Sequence, residues 1–86
     1  PAAVGADRGS GPDAPADALL ARAARVRLLL GDEGARPELI GFLLSPNRSA
    51  RQIAIGALRE RDGDDHGYDP DAAPAARAAA AAHWRQ

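Results

Sequence analysis

At 86 residues, with a net charge of −1, no Cys and no Lys, the chain has room for at most one small domain. This composition leaves out a disulfide framework, a thiolate site and the basic footprint that nucleic acid or an anionic membrane would require. The 45% hydrophobic content is mostly alanine, 22 residues against 17 larger apolar ones, so it favours helix while burying little area.

A fold built this way is marginal alone and is expected to lean on other protein subunits or on a longer parent chain. No apolar run reaches the roughly 18 residues that a membrane-spanning helix needs, and the expectation is no membrane span. The chain begins with Pro rather than Met. The expectation is a processed or trimmed product, either exported after loss of a signal peptide (to the periplasm, for instance) or cut from a larger protein.

In chain order, residues 1–13, PAAVGADRGSGPD, are Gly, Pro, Ala and Asp with a single large apolar residue, Val4. They are expected to form a flexible tail, because they cannot bury enough surface to offset the cost of ordering. Residues 14–86 are expected to form one α-helical module. Its first helix is expected from about Asp13 or Asp17, either of which can cap it, to Leu30, with Gly31 as a left-handed exit. Leu19, Ala23, Val26 and Leu30 share one face, with Leu20, Ala24 and Leu28 beside it, and this face is expected to meet another helix.

The second helix is expected to open at Pro37 and stop at Ser45-Pro46. Apolar residues surround it, so it should be the most buried element. Gly41 in its interior costs about 1 kcal/mol relative to Ala, which suggests another backbone packed close by.

The third helix has the clearest pattern. Asn47 or Ser49 caps it, Ala50, Ile53, Ala54, Ala57 and Leu58 make its inner stripe, and Gly63 lies beyond its end. The fourth is expected from Asp71 to Trp84 with a contact stripe of Ala76, Ala80, His83 and Trp84. Nothing alternates over four residues, so no strand is predicted. The fold class is all-α, with about four helices.

The stretch Leu43 to Gly63, LLSPNRSARQIAIGALRERDG, resembles a HEAT repeat of the short bacterial type. Those units read as an apolar helix, a turn with Asp or Asn, then V/A-R-x-x-A-x-x-A-L and a terminal Gly. Here Asn47, Ala50-Arg51, Ala54, Ala57, Leu58 and Gly63 take those places. Leu28 to Leu44 resembles the preceding helix end, turn and first helix of the same unit. The tail GYDPDAAPAARAAAAAHWRQ resembles the segment that closes some arrays.

The resemblance implies antiparallel stacked α-hairpins, with Asn47 and Arg51 holding the two helices of the unit together. The chain carries about one and a half such units, where an array has three or more. It is therefore expected to be a truncated array or a stub that docks on other proteins.

The acidic stretch DGDDHGYDPDA, Asp62 to Ala72, is the one candidate for chemistry. Asp62, Asp64, His66 and Gly67 match positions of a calcium loop, but Ala73 stands where the closing Glu is required. For zinc only His66 and His83 exist, and HEAT-like iron hydroxylases use His-Glu pairs that this chain lacks. Asp64 or Asp65 could pair with Asp69 as catalytic carboxylates, yet exposed aspartates in an open loop have nothing to separate their roles.

A structural role covers more residues. Gly63 ends a helix, Gly67 permits a positive φ, Tyr68 anchors the loop to the core, Asp69-Pro70 turns, and Asp71 caps the last helix. Asp62, Asp64 and Asp65 are expected to pair with Arg59 and Arg61. Trp84 with His83 is either an interface anchor or the residue that closes the core. Arg22, Arg25, Arg27, Arg48, Arg51, Arg59 and Arg61 could follow phosphates, but interleaved acids and missing aromatic partners favour a solvated surface.

The expected function is a non-catalytic protein–protein interaction or structural subunit of a larger assembly. No cofactor or metal is assigned, and Leu19, Val26, Leu30, His83 and Trp84 are candidate interface residues. The alternatives are an accessory domain of a larger enzyme and, third, a small metal-dependent regulator acting through the Asp-rich loop.

Overall fold

A computed structural model describes residues 15–85; the expected tail and the candidate cap Asp13 lie outside them. The described residues form four helices, α1 Pro15–Leu29, α2 Ala35–Phe42, α3 Arg48–Asp62 and α4 Pro74–Trp84, and no strand. The protein is all-α.

The helix boundaries follow from local chemistry. α1 leaves through a Schellman turn: Gly31 has φ +97°, its N–H donates to the Leu28 carbonyl, and the Asp32 N–H donates to the Arg27 carbonyl. α3 starts at Asn47, whose side-chain oxygen accepts from the Ala50 N–H at 2.9 Å. It ends at Gly63, φ +81°, whose N–H donates to the Arg59 carbonyl. α2 opens two residues earlier than Pro37 and its N-cap, Gly34, makes no side-chain bond. Asp32 substitutes by accepting from the Gly34 N–H at 2.9 Å.

The first three helices pack on one another in all three pairings, most extensively α1 with α3. Ser45 Oγ at the exit of α2 donates to Asp17 at the start of α1, and Arg36 at the start of α2 pairs with Asp62 at the end of α3 at 3.0 Å. Thus α2 runs against both neighbours. Leu39, Leu43 and Leu58 are fully buried at the centre, with Leu28, Ile40 and Ile55 around them.

Residues 63–73 then run back along α3, because Asp71 meets Arg48 at the start of α3 while Trp84 meets Asp65 just past its end. α4 therefore points the same way as α3, and the alternation of directions stops there. It joins the core through Ala81 and Trp84.

Several sequence expectations are corrected. Asp17 is not a cap; it lies in the first turn of α1 and accepts from Ser45. Gly41 is exposed and nothing lies within 4 Å of where a Cβ would stand, so no backbone crosses it. α2 is not enclosed on all sides, since Pro37, Glu38 and Gly41 are exposed. Asp71 does not cap α4. The N-cap is Ala73, without a side-chain bond, and Pro74 opens the helix. In the expected α4 stripe Ala76 and His83 are exposed, and Ala81 takes the buried place beside Trp84.

Candidate interaction surface

The connector between α3 and α4 is where the sequence concentrates reactive groups, and the structure gives each carboxylate an internal partner. Asp64 accepts from the His66 N–H at 2.8 Å, Asp65 from the Gly67 N–H at 2.9 Å, and Asp69 from the Asp71 N–H at 2.8 Å. These are Asx turns, in which a side chain satisfies the backbone two residues on. Asp62 pairs with Arg36, and Asp71 grips Arg48 through both oxygens, one contact at 2.9 Å. The expected pairing of Asp62, Asp64 and Asp65 with Arg59 and Arg61 does not form, and Arg61 turns instead to Glu33. Among the described residues no group of three or more His, Cys, Asp or Glu is placed to hold a metal ion.

Two of the ion pairs perturb their acids. The hydrogen bond from Arg48 holds the Asp71 carboxyl below the ordinary carboxylate range, and that from Arg27, with the Gly34 N–H, does the same to Asp32. Arg48 stands in the first turn of α3, against the positive end of the helix dipole, and Asp71 offsets that repulsion. Burial raises the Tyr68 hydroxyl, which donates to the Leu43 carbonyl just past α2.

Arg51 is 7% exposed, and its guanidinium donates to the Ser45 carbonyl at 2.8 Å and the Pro70 carbonyl at 3.0 Å. It ties the exit of α2 to the returning connector. Ser45 adds a link that sequence reasoning missed, accepting from the Asn47 N–H at 3.0 Å while donating to Asp17.

Gly67 has φ +81° as expected, and His66 beside it is also left-handed at φ +53°. The His66 ring meets the Trp84 ring edge-on at 4.6 Å between centroids, and Arg36 lies 5.7 Å from the same indole. Trp84 is 2% exposed and its indole N–H donates to the Asp65 carbonyl at 3.2 Å. Of its two possible roles it takes core closure, while His83 remains at the surface. Arg36 was not singled out from sequence; only the fold brings α2, Asp62 and Trp84 together.

Among the described residues, with Leu44 the exception, the exposed large apolar side chains lie on α1 or at its end. Its buried side is Ala21, Ala24 and Leu28. Leu19, Ala23, Val26 and Leu30 stand on the opposite side, with Leu19 66%, Val26 51% and Leu30 81% exposed. The face wide enough to be covered by another helix, which holds the candidate interface residues Leu19, Val26 and Leu30, thus faces outward.

Beside it a groove of about 470 Å³ follows the α1–α3 seam, lined by Val26, Ile53 and Gly56 and rimmed by Arg22, Arg25, Arg59 and Glu60. It continues toward Leu29, Gly31, Ala57 and Arg61 at the far end of both helices. No helix is long and apolar enough to cross a membrane among the described residues. No known protein family, curated protein or solved structure matches the chain.

Proposed function

We propose that this protein is a non-catalytic interaction module, a small helical scaffold that docks on other proteins through the outer face of α1. The observation that carries this reading is the exposure of Leu19, Val26 and Leu30 on the side of α1 opposite its buried face. Leu19 and Val26 on α1 and Leu30 just past its end leave apolar area in water that a partner would remove at about 25 cal/mol per Å². The connector adds weight from the other direction, because its carboxylates already serve turns and ion pairs.

A truncated HEAT-like scaffold fits this proposal. α2 and α3 form an antiparallel hairpin capped by Asn47, and Arg51 braces its turn. In a stack of such hairpins the outer face of α1 is where the preceding unit would sit.

The test is photo-crosslinking in the cells that produce the protein, with a photoreactive residue at Val26 or Leu30 and controls at the exposed positions Ala79 and Glu38. Capture of a defined protein from the α1 positions and not from the controls is the expected result. Equal capture everywhere, or none from α1, would end the proposal.

A further inference from the structure

We propose, building on the interaction reading above, that the α1–α3 seam receives an acidic amphipathic helix from another protein. Four arginines line this seam, Arg22, Arg25, Arg59 and Arg61, against two glutamates, Glu33 and Glu60. Arg25 is tied to Glu60 at 3.7 Å and Arg61 to Glu33. Arg22 and Arg59 have no acidic partner among the described residues and stand on opposite walls of the groove, one on α1 and one on α3. The floor between them is Val26, Ile53 and Gly56, and the space above Gly56 is open to 4 Å. An apolar floor with unpaired guanidinium groups on both walls is complementary to a helix whose apolar stripe is flanked by Asp or Glu.

The described residues offer no such helix. Of their four, α4 has no acid at all, α2 has only Glu38, and α3, with Glu60 and Asp62, buries its apolar side in the core. α1 flanks its own apolar face with Arg22, Arg25 and Arg27, so pairing two copies through this face would set like charges together. The N-terminal residues 1–13 include one large apolar side chain, Val4, and cannot supply an apolar stripe. A seam between two packed helices also accepts the ridge of a third helix better than it accepts an extended strand.

The test uses the full chain and two labelled synthetic peptides of about 16 residues, long enough to form a helix on binding. Both carry leucine at helical spacing; one is flanked by glutamate and the other by lysine. Fluorescence anisotropy should show the acidic peptide binding at least about tenfold more tightly than the basic one, with affinity falling as salt is raised. The Arg22→Glu/Arg59→Glu pair should remove that preference. Gly56→Leu should block binding while keeping the melting temperature, since it replaces glycine by a good helix former over open space.

Equal affinity for both peptides, or an acidic-peptide affinity unchanged in the arginine double variant, would overturn the proposal. So would sedimentation of the chain as a dimer that Gly56→Leu dissolves, because the occupant would then be a second copy. If neither peptide binds while crosslinks from Val26 and Leu30 persist, the acidic-helix proposal falls and the docking face stands. Loss of both would end both readings.

Discussion

The acidic connector and the outer face of α1 exchange the roles that their compositions suggest. Residues 62–71 carry five aspartates and a histidine and look reactive, yet their carboxylates close turns or bind Arg36 and Arg48. The stripe Leu19, Ala23, Val26 and Leu30 looks like core, yet among the described residues nothing covers it. A residue's availability depends on which bonds the fold has already made for it. By that measure the apolar face is the free surface and the charged loop is a fastening.

The comparison is broken most forcefully at the fastening. Trp84→Ala should cost about 3–5 kcal/mol, because it empties a buried site and releases the only large side chain that joins α4 to the core. Urea unfolding measures this, and a loss under about 1 kcal/mol would mean that α4 is an appendage.

Arg51→Ala should follow, at about 2–4 kcal/mol, by leaving the Ser45 and Pro70 carbonyls without their charged donor. Arg51→Lys should restore only part of it, since one ammonium lacks the fork that reaches both oxygens. Full recovery in the Lys variant would show that charge alone matters there.

Gly41→Ala should stabilise by about 0.5–1 kcal/mol, the helix-propensity gain at an exposed site with free space. A destabilisation would restore the close packing that the sequence suggested at this glycine.

Acid should weaken the fastenings next. Asp32 and Asp71 have folded pKa values below their unfolded ones, so their stabilisation is present above about pH 4 and is lost as pH falls through the folded values. The melting temperature should hold between neutral and about pH 5 and decline below about pH 4, and Asp71→Asn should flatten part of that decline. An unchanged profile in Asp71→Asn would remove the Arg48 pair from the account.

The smallest effect is expected at the outer face. Leu19→Gln, Val26→Gln and Leu30→Gln should each leave stability within about 0.5 kcal/mol while weakening any partner contact. A larger loss in the isolated chain would place that residue in an internal contact.

Features set within one helical turn were legible before the fold was known. The four helices, the Asn47 cap, the left-handed glycines at 31 and 67, the helix-ending Gly63, and Ala50, Ala54, Ala57 and Leu58 of the α3 stripe all depend on residues a few positions apart, whereas Ile53 of that stripe lines the groove and Ile55 takes the buried place. Tyr68 as the loop's anchor was legible too, being the single large apolar group among polar neighbours. The partners of the charged residues were not. Asp71 answers to Arg48, Asp62 to Arg36 and Arg61 to Glu33, pairs separated by 23, 26 and 28 residues.

The sequence by itself determined that this protein is helical and where α3 begins and ends, and it singled out Arg51 and Trp84. Only the tertiary structure decided which side of α1 lies inward, that α4 points along α3, and that the connector's acids are engaged. The physical reason lies in α1, which is apolar on two opposite sides, so that its periodicity does not choose between them. The alanine side won: Ala21 and Ala24 turn inward, as do Ala50, Ala54 and Ala57 of α3, and small side chains let two helices approach closely. The leucines that remained outside are the surface on which we propose that a partner docks.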